Sequence, residues 1–148
     1  LFQKYKTVLQ VAALPFILNE MELKILLISG RKKKKWLIPK GWPVKGLTFP
    51  QSAAREAQEE AGIEGVISPQ PLGDFGFHKK ITKSQTIPCR VIVYGLLVTD
   101  QDVEWKEREQ RDRLWCSVPQ AIEKVTEKNL VKVLRDVLKD PGLLTLNI

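Results

Sequence analysis

Gly41-Trp42-Pro43-Val44-Lys45-Gly46-Leu47-Thr48-Phe49-Pro50-Gln51-Ser52-Ala53-Ala54-Arg55-Glu56-Ala57-Gln58-Glu59-Glu60-Ala61-Gly62-Ile63 is most informative in its second half, which reads as a helix. Thr48 suits the N-cap, Pro50 the first turn, and Gly62 a stop directly after Ala61. On a wheel of about 100° per residue, Ala53, Ala57, Ala61 and Ala54 fall within one arc of roughly 100°. Side chains this small let a helix lie close against a sheet. Glu56, Glu59 and Glu60 fill an arc of about 100° beside that stripe, so three carboxylates share one face at the border of the buried surface.

Like charges at these spacings repel by about 0.2–0.5 kcal/mol per pair. A bound divalent cation reverses that sign, because Mg²⁺ and Mn²⁺ prefer carboxylate oxygen and complete their shells with water and substrate phosphate. Taken alone, three glutamates also fit a plain solvated acidic face. Two neighbours favour the metal. Arg55 stands four residues before Glu59 and can orient it by a charge-assisted hydrogen bond, and the Pro39-Lys40-Gly41 turn offers a bare backbone carbonyl just upstream.

Outward from the helix, Thr7 to Leu18 and Met21 to Ser29 read as two buried strands joined at Asn19-Glu20, being short and rich in branched residues. A short apolar segment, Trp36-Leu37-Ile38, stops at Pro39. After the helix, Leu72 to Phe77 and Thr86 to Val98 read as strands, with Lys79, Lys80 and Lys83 around the hairpin between them. A charged connection, Thr99 to Arg113, leads to the strand candidate Leu114-Trp115-Cys116. Ser117 and Gln120 have capping-box spacing for a short helix, and Leu130, Val131, Leu134, Val137 and Leu138 mark a last helix that ends before Pro141-Gly142. The order β-β-α-β-β-α predicts an α/β fold, a mixed sheet with helices on its faces, as one domain over residues 1–148. A chain of 148 residues needs no disulfide or structural metal to hold a core, since it buries about 70% of its unfolded surface.

The net charge is +7, from 24 basic and 17 acidic residues. It is a local property. Arg31, Lys32, Lys33, Lys34, Lys35, Lys40 and Lys45 lie in one window without an acid, and outside it 17 basic residues face 17 acidic ones. Such a patch fits polyanions, although a lysine-rich loop tip is also an ordinary solvated feature. With 43% hydrophobic residues, intrinsic disorder is excluded, and no apolar run approaches the roughly 18 residues of a membrane span. One histidine, His78, is too few for a zinc site or a serine–histidine triad. Cys89 and Cys116 lack metal-site spacing and read as free reduced thiols. Leu1 to Thr7 shows no secretory apolar core, and the expected compartment is the cytoplasm. The sequence opens on Leu1 rather than Met, so further residues are expected before it.

The quoted stretch strongly resembles the Nudix box, G-x5-E-x7-R-E-U-x-E-E-x-G-U with U apolar, in register at Gly41, Arg55, Glu56, Ala57, Glu59, Glu60, Gly62 and Ile63. Leu47 departs from it, standing where the family places its first glutamate, a residue less directly tied to the metal than those of the R-E-x-x-E-E core. The approach Trp36-Leu37-Ile38-Pro39-Lys40-Gly41 is similar to the branch that hydrolyses diadenosine polyphosphates and diphosphoinositol polyphosphates, with Val44 and Leu47 replacing two glutamates frequent there. Glu104-Trp105-Lys106-Glu107, followed by Arg111 and Trp115, resembles a W-P-E…R…W stretch, with Lys106 in the place of proline.

The resemblance implies a Nudix-type α/β/α sandwich. It also implies water attack on phosphorus in a nucleoside-diphosphate-linked or dinucleoside polyphosphate substrate, assisted by Mg²⁺, with Mn²⁺ as a second candidate. Glu56, Glu59 and Glu60 are then the metal ligands, joined by the Gly41 carbonyl. Glu59 or Glu107 activates water, and Arg55 orients Glu59. Arg31, Lys32 and Lys40 would meet phosphates, while Trp42 either stacks on a base or wedges its loop. The expected partner is a small phosphorylated molecule, with no membrane and no nucleic acid, since paired aromatics on strands are lacking. The alternatives are nucleotide-pool cleansing, RNA 5′-end hydrolysis, or a non-catalytic polyphosphate-binding module on the same fold.

Overall fold

Two apolar segments form the centre of the sheet. β1 (Val8–Asn19) turns back into β2 (Glu22–Ser29), with antiparallel pairing from Phe16↔Ile25 to Asn19↔Glu22. On its other side β1 runs parallel to β6 (Thr86–Gln101), from Val8↔Cys89 to Phe16↔Leu97. β6 pairs antiparallel with the edge strand β5 (Ile63–Lys80), while β3 (Trp36–Leu37) and β7 (Arg113–Ser117) join β2. The sheet is therefore mixed, as expected. The computed structural model describes residues 7–19, 22–32 and 35–145. Met21 of the second expected strand, Lys33 and Lys34 of the basic run, and positions 1–6 lie outside the described residues.

β1 is apolar almost without interruption because both of its faces are covered. Val11 and Ala13 pack with Leu26 and Ile28 against α1 (Phe49–Ala61). Ala12, Leu14 and Phe16 point the other way, toward α2 (Val118–Lys124), α3 (Lys128–Lys139) and the short α4 (Gly142–Thr145). These two layers make the α/β/α sandwich. Cys89 and Cys116 are buried, free thiols. Among the described residues no helix is long and apolar enough to cross a membrane.

α1 is specified locally. The Thr48 hydroxyl accepts from the Gln51 N–H at 3.2 Å, and the Gln51 side chain accepts from the Thr48 N–H at 2.9 Å. At the far end Gly62 adopts φ 64°, a left-handed stop that costs glycine little, and donates to the Gln58 carbonyl. Ala53, Ala57 and Ala61 are fully buried, whereas Ala54 sits at the rim and Ser52 takes the inner place, its hydroxyl accepting from the Val44 N–H at 2.9 Å. Ser117 and Gln120 cap α2 in the expected way.

Three elements differ from the sequence reading. β5 begins at Ile63 rather than Leu72, although Pro69 and Pro71 argue against a strand. An edge strand tolerates them, and register shifts between Ile67 and Pro71 and between Pro71 and Gly73 absorb the missing donors. Lys40–Gly41, read as a turn, is a two-residue strand, β4, whose backbone pairs with Ala12 and Val11. α4 was not expected at all; four residues carry too little periodicity to be read.

Candidate active site

The pairing of β4 with β1 sets Gly41 under the glutamate face of α1. The Glu56 carboxylate lies so close to the Gly41 backbone that a Cβ there would sit 2.4–2.7 Å from its atoms. One turn on, Glu60 is only 7% exposed, and its Oε1 accepts the Lys40 backbone N–H at 3.2 Å. The connection after β6 adds a fourth carboxylate. Its Asp102 N–H donates to the Gly62 carbonyl at 2.7 Å and its Glu107 N–H to the Glu59 carbonyl at 3.1 Å, so the loop is laced to the end of α1. Glu107 is 7% exposed, not a solvated loop glutamate.

Cations interleave with these acids. The buried Arg111 guanidinium donates to Glu107 Oε1 at 2.7 Å and to the Ser29 carbonyl at 3.1 Å, and lies 3.8 Å from Glu60 Oε2. Arg31 approaches the other Glu107 oxygen at 3.6 Å. Glu59 is held between Arg55 at 3.3 Å and Lys106 at 3.8 Å. The Lys40 ammonium donates to Gln10 Oε1 at 3.3 Å and rests 4.3 Å from the centre of the Phe77 ring, while Lys79 flanks Trp42. Arg31, Lys40, Lys79, Lys106 and Arg111 line, with the four glutamates, a cleft of about 530 Å³.

Burial dominates the electrostatics. It pushes the Glu60 carboxyl up to about 8; the Arg111 charge opposes the rise and the Glu56 charge adds to it. Glu56 is also raised, by burial first, against a hydrogen bond with Glu60 and with added repulsion from Glu59. Lys40 is lowered by burial and by Lys79. Two carboxyls pressed together in a dry pocket favour sharing a proton, and a hard dication can replace that proton. The all-oxygen donor set fits Mg²⁺ or Mn²⁺, with Glu56, Glu60 and the bare Gly41 backbone as its nucleus. Among the described residues no three acidic, thiol or imidazole side chains stand grouped closely enough to hold an ion. Glu59 and Glu107 are each paired with cations.

Of the residues assigned from sequence, Arg31, Lys40, Gly41, Trp42, Glu56, Glu59, Glu60 and Glu107 meet in the one cleft. Lys32 does not; it lies with Gly30, Lys35 and Leu37 in a hollow that Arg31 shares with the cleft. Arg55 reaches Glu59 from the opposite flank of α1, in a groove that also holds Leu47. The position that departs from the box thus shares a groove with Arg55 and Glu59 and does not line the cleft of Glu56, Glu60 and Glu107. Gln10, Lys79, Lys106 and Arg111 join the site without having been assigned to it. Arg111 was visible as the arginine of the stretch from Glu104 to Trp115 that resembles the family, and Gln10 as a polar residue early in an apolar strand.

The NUDIX domain model matches residues 8–140. Nudix hydrolase 12, mitochondrial, of Arabidopsis thaliana is 31% identical over 124 residues, 80% of this chain and 60% of that protein. Diphosphoinositol polyphosphate phosphohydrolase 2 of Rattus norvegicus is 33% identical over 107 residues, 70% of this chain and 55% of its own length. The chain spans about three-fifths of the curated relatives it matches. Among solved structures, the C. elegans Ap4A hydrolase superposes with a TM-score of 0.64 at 20% identity, covering 90% of this chain and 98% of that one. The E. coli dihydroneopterin triphosphate pyrophosphohydrolase superposes at 0.69 with 14% identity, covering 91% and 99%. These likenesses extend over both faces of the sheet as well as the quoted box, and the chain belongs to the Nudix family.

Proposed function

We propose that this protein is a Mg²⁺-dependent pyrophosphohydrolase, with Mn²⁺ as an alternative metal, acting on dinucleoside polyphosphates or similarly charged diphosphates. The observation that carries the reading is the carboxylate pair Glu56 and Glu60 closed over Gly41 inside a cleft rimmed by Arg31, Lys40, Lys79 and Lys106. A bound divalent ion supplies charge neutralisation and activation of water at such a site. Glu56, Glu60 and the Gly41 carbonyl would hold it, with Glu59 completing the set. Glu107 or Glu59 accepts the proton of the attacking water. Arg31 and Lys40 meet the phosphates, and Trp42, 45% exposed at the cleft edge, flanks the organic group. Arg55 holds Glu59 in place. The relatives named for diphosphoinositol polyphosphate and Ap4A hydrolysis lend support to a highly charged substrate. The cytoplasm is the proposed compartment; the mitochondrial names belong to the relatives.

The test is a panel of diadenosine polyphosphates, diphosphoinositol polyphosphates, nucleoside triphosphates, oxidised nucleotides and 5′-triphosphorylated RNA, compared by kcat/KM with Mg²⁺ and with EDTA. Metal-dependent turnover led by the dinucleoside or diphosphoinositol compounds is expected. A lead by oxidised nucleotides or RNA overturns the substrate, and salt-sensitive binding without any phosphate release overturns catalysis.

A further inference from the structure

Arg111 is a buried guanidinium, 9% exposed, with partners on three separate elements: Glu107 in its own loop, Ser29 at the end of β2 and Glu60 on α1. Its loop does not need it for anchorage. The Ser29 N–H already donates to the Asp112 carbonyl at 3.0 Å and the Asp112 N–H to the Ser29 hydroxyl at 2.8 Å, and the Glu107 backbone is tied to Glu59 and Gln110. Beyond that anchorage the guanidinium grips one carboxylate oxygen of Glu107 and lies 3.8 Å from Glu60 Oε2. Arg111 Nε fixes Glu107 Oε1 at 2.7 Å while Nη1 is fixed to Ser29, so the plane of the guanidinium, and with it the Glu107 rotamer, is set from below. The other oxygen, Oε2, lies 3.6 Å from Arg31, whose side chain is 67% exposed and can exchange that contact for a phosphate.

We propose that Arg111 is a positioning residue that holds Glu107 with Oε2 presented to the cleft, so that its carboxylate is oriented before substrate arrives. The inference rests on the reading of Glu107 as a group that works on the attacking water or the metal.

The test is a double-mutant cycle on the full chain with Arg111→Met, Glu107→Gln and the pair, using Mg²⁺ and diadenosine tetraphosphate as probes. Arg111→Met should lower kcat about 100-fold while KM stays within about threefold, and should lower it no further in the Glu107→Gln background. Arg111→Lys keeps the charge but not the planar grip, and should keep the fold while losing about tenfold in kcat. As a readout apart from turnover, urea midpoints in EDTA should fall more when Arg111→Met is made beside Glu107 than beside Gln at that position. Should Arg111→Met fail to fold, the Lys variant and the pair carry the cycle. Multiplying kcat losses, or a rise in KM that carries the whole effect, overturns the positioning role alone. An unchanged kcat after Glu107→Gln overturns the role of Glu107 and this inference with it, and a natural chain that hydrolyses no diphosphate overturns the functional reading.

Discussion

Glu60→Gln separates the cost of the site from its use. Glu60 is buried beside Glu56 and Glu107, and its carboxyl titrates at about 8 in the fold against an ordinary 4.5. A raised acid stabilises the fold fully below its unfolded value, and that contribution is lost as pH climbs from there through the folded value. Between pH 6 and pH 9 the natural chain should therefore lose up to about 3 kcal/mol through this one group, at roughly 1.4 kcal/mol per pH unit below the folded value. The proton shared with Glu56 reduces this, and about 1–3 kcal/mol is the expected loss. Glutamine carries no charge to bury and its Oε1 can still accept the Lys40 N–H, so the variant should lack this slope and be the more stable chain at pH 9 in EDTA. Urea unfolding of both chains at pH 6 and 9 measures the difference. With Mg²⁺ the order should invert: the natural chain gains stability and turns over, whereas the variant gains little and is inactive. Equal pH slopes in EDTA, or Mg²⁺-dependent turnover retained by the variant, would refute the reasoning.

Gly41→Ala places a methyl 2.4–2.7 Å from the Glu56 carboxylate atoms, which must rotate away; Mn²⁺ affinity and kcat should drop about 10- to 100-fold with the fold retained, and natural Mn²⁺ binding would contradict the Gly41–Glu56 nucleus. Gly62→Ala meets both a left-handed backbone at φ 64° and the Trp105 ring at 2.4–2.7 Å, so urea unfolding should show a loss of at least about 1–2 kcal/mol, accompanied by lower kcat as the Glu107 loop shifts. Lys40→Met keeps the stem over Phe77 but removes the ammonium; KM for a diphosphate substrate should rise about tenfold with kcat little changed and a shallower salt dependence, and a loss confined to kcat would place Lys40 in the chemistry instead.

Much of the site was legible because it is local. The Thr48 cap, the Gly62 stop and the glutamate face all depend on residues within one helix of 13 positions, and a helix places its side chains by spacing alone. The Pro39-Lys40-Gly41 approach was legible as bare backbone beside the glutamate face, though not as a strand. Its pairing with Val11 and Ala12 spans nearly 30 positions and leaves no mark in its own composition. β5 misled for the opposite reason: Pro69 and Pro71 obey local rules that an edge position suspends.

The sequence by itself therefore determined α1 and the glutamate face it carries, since spacing and capping settle these within a few turns of chain. The tertiary structure decided which charges share the cleft. It brought Gln10 from β1 and Arg111 from a distant loop, left Lys32 outside, and turned Glu107 from a loop acid into a buried one. Those outcomes depend on burial and on contacts between residues far apart in the chain, and a desolvated charge takes its meaning from the partners that only folding supplies.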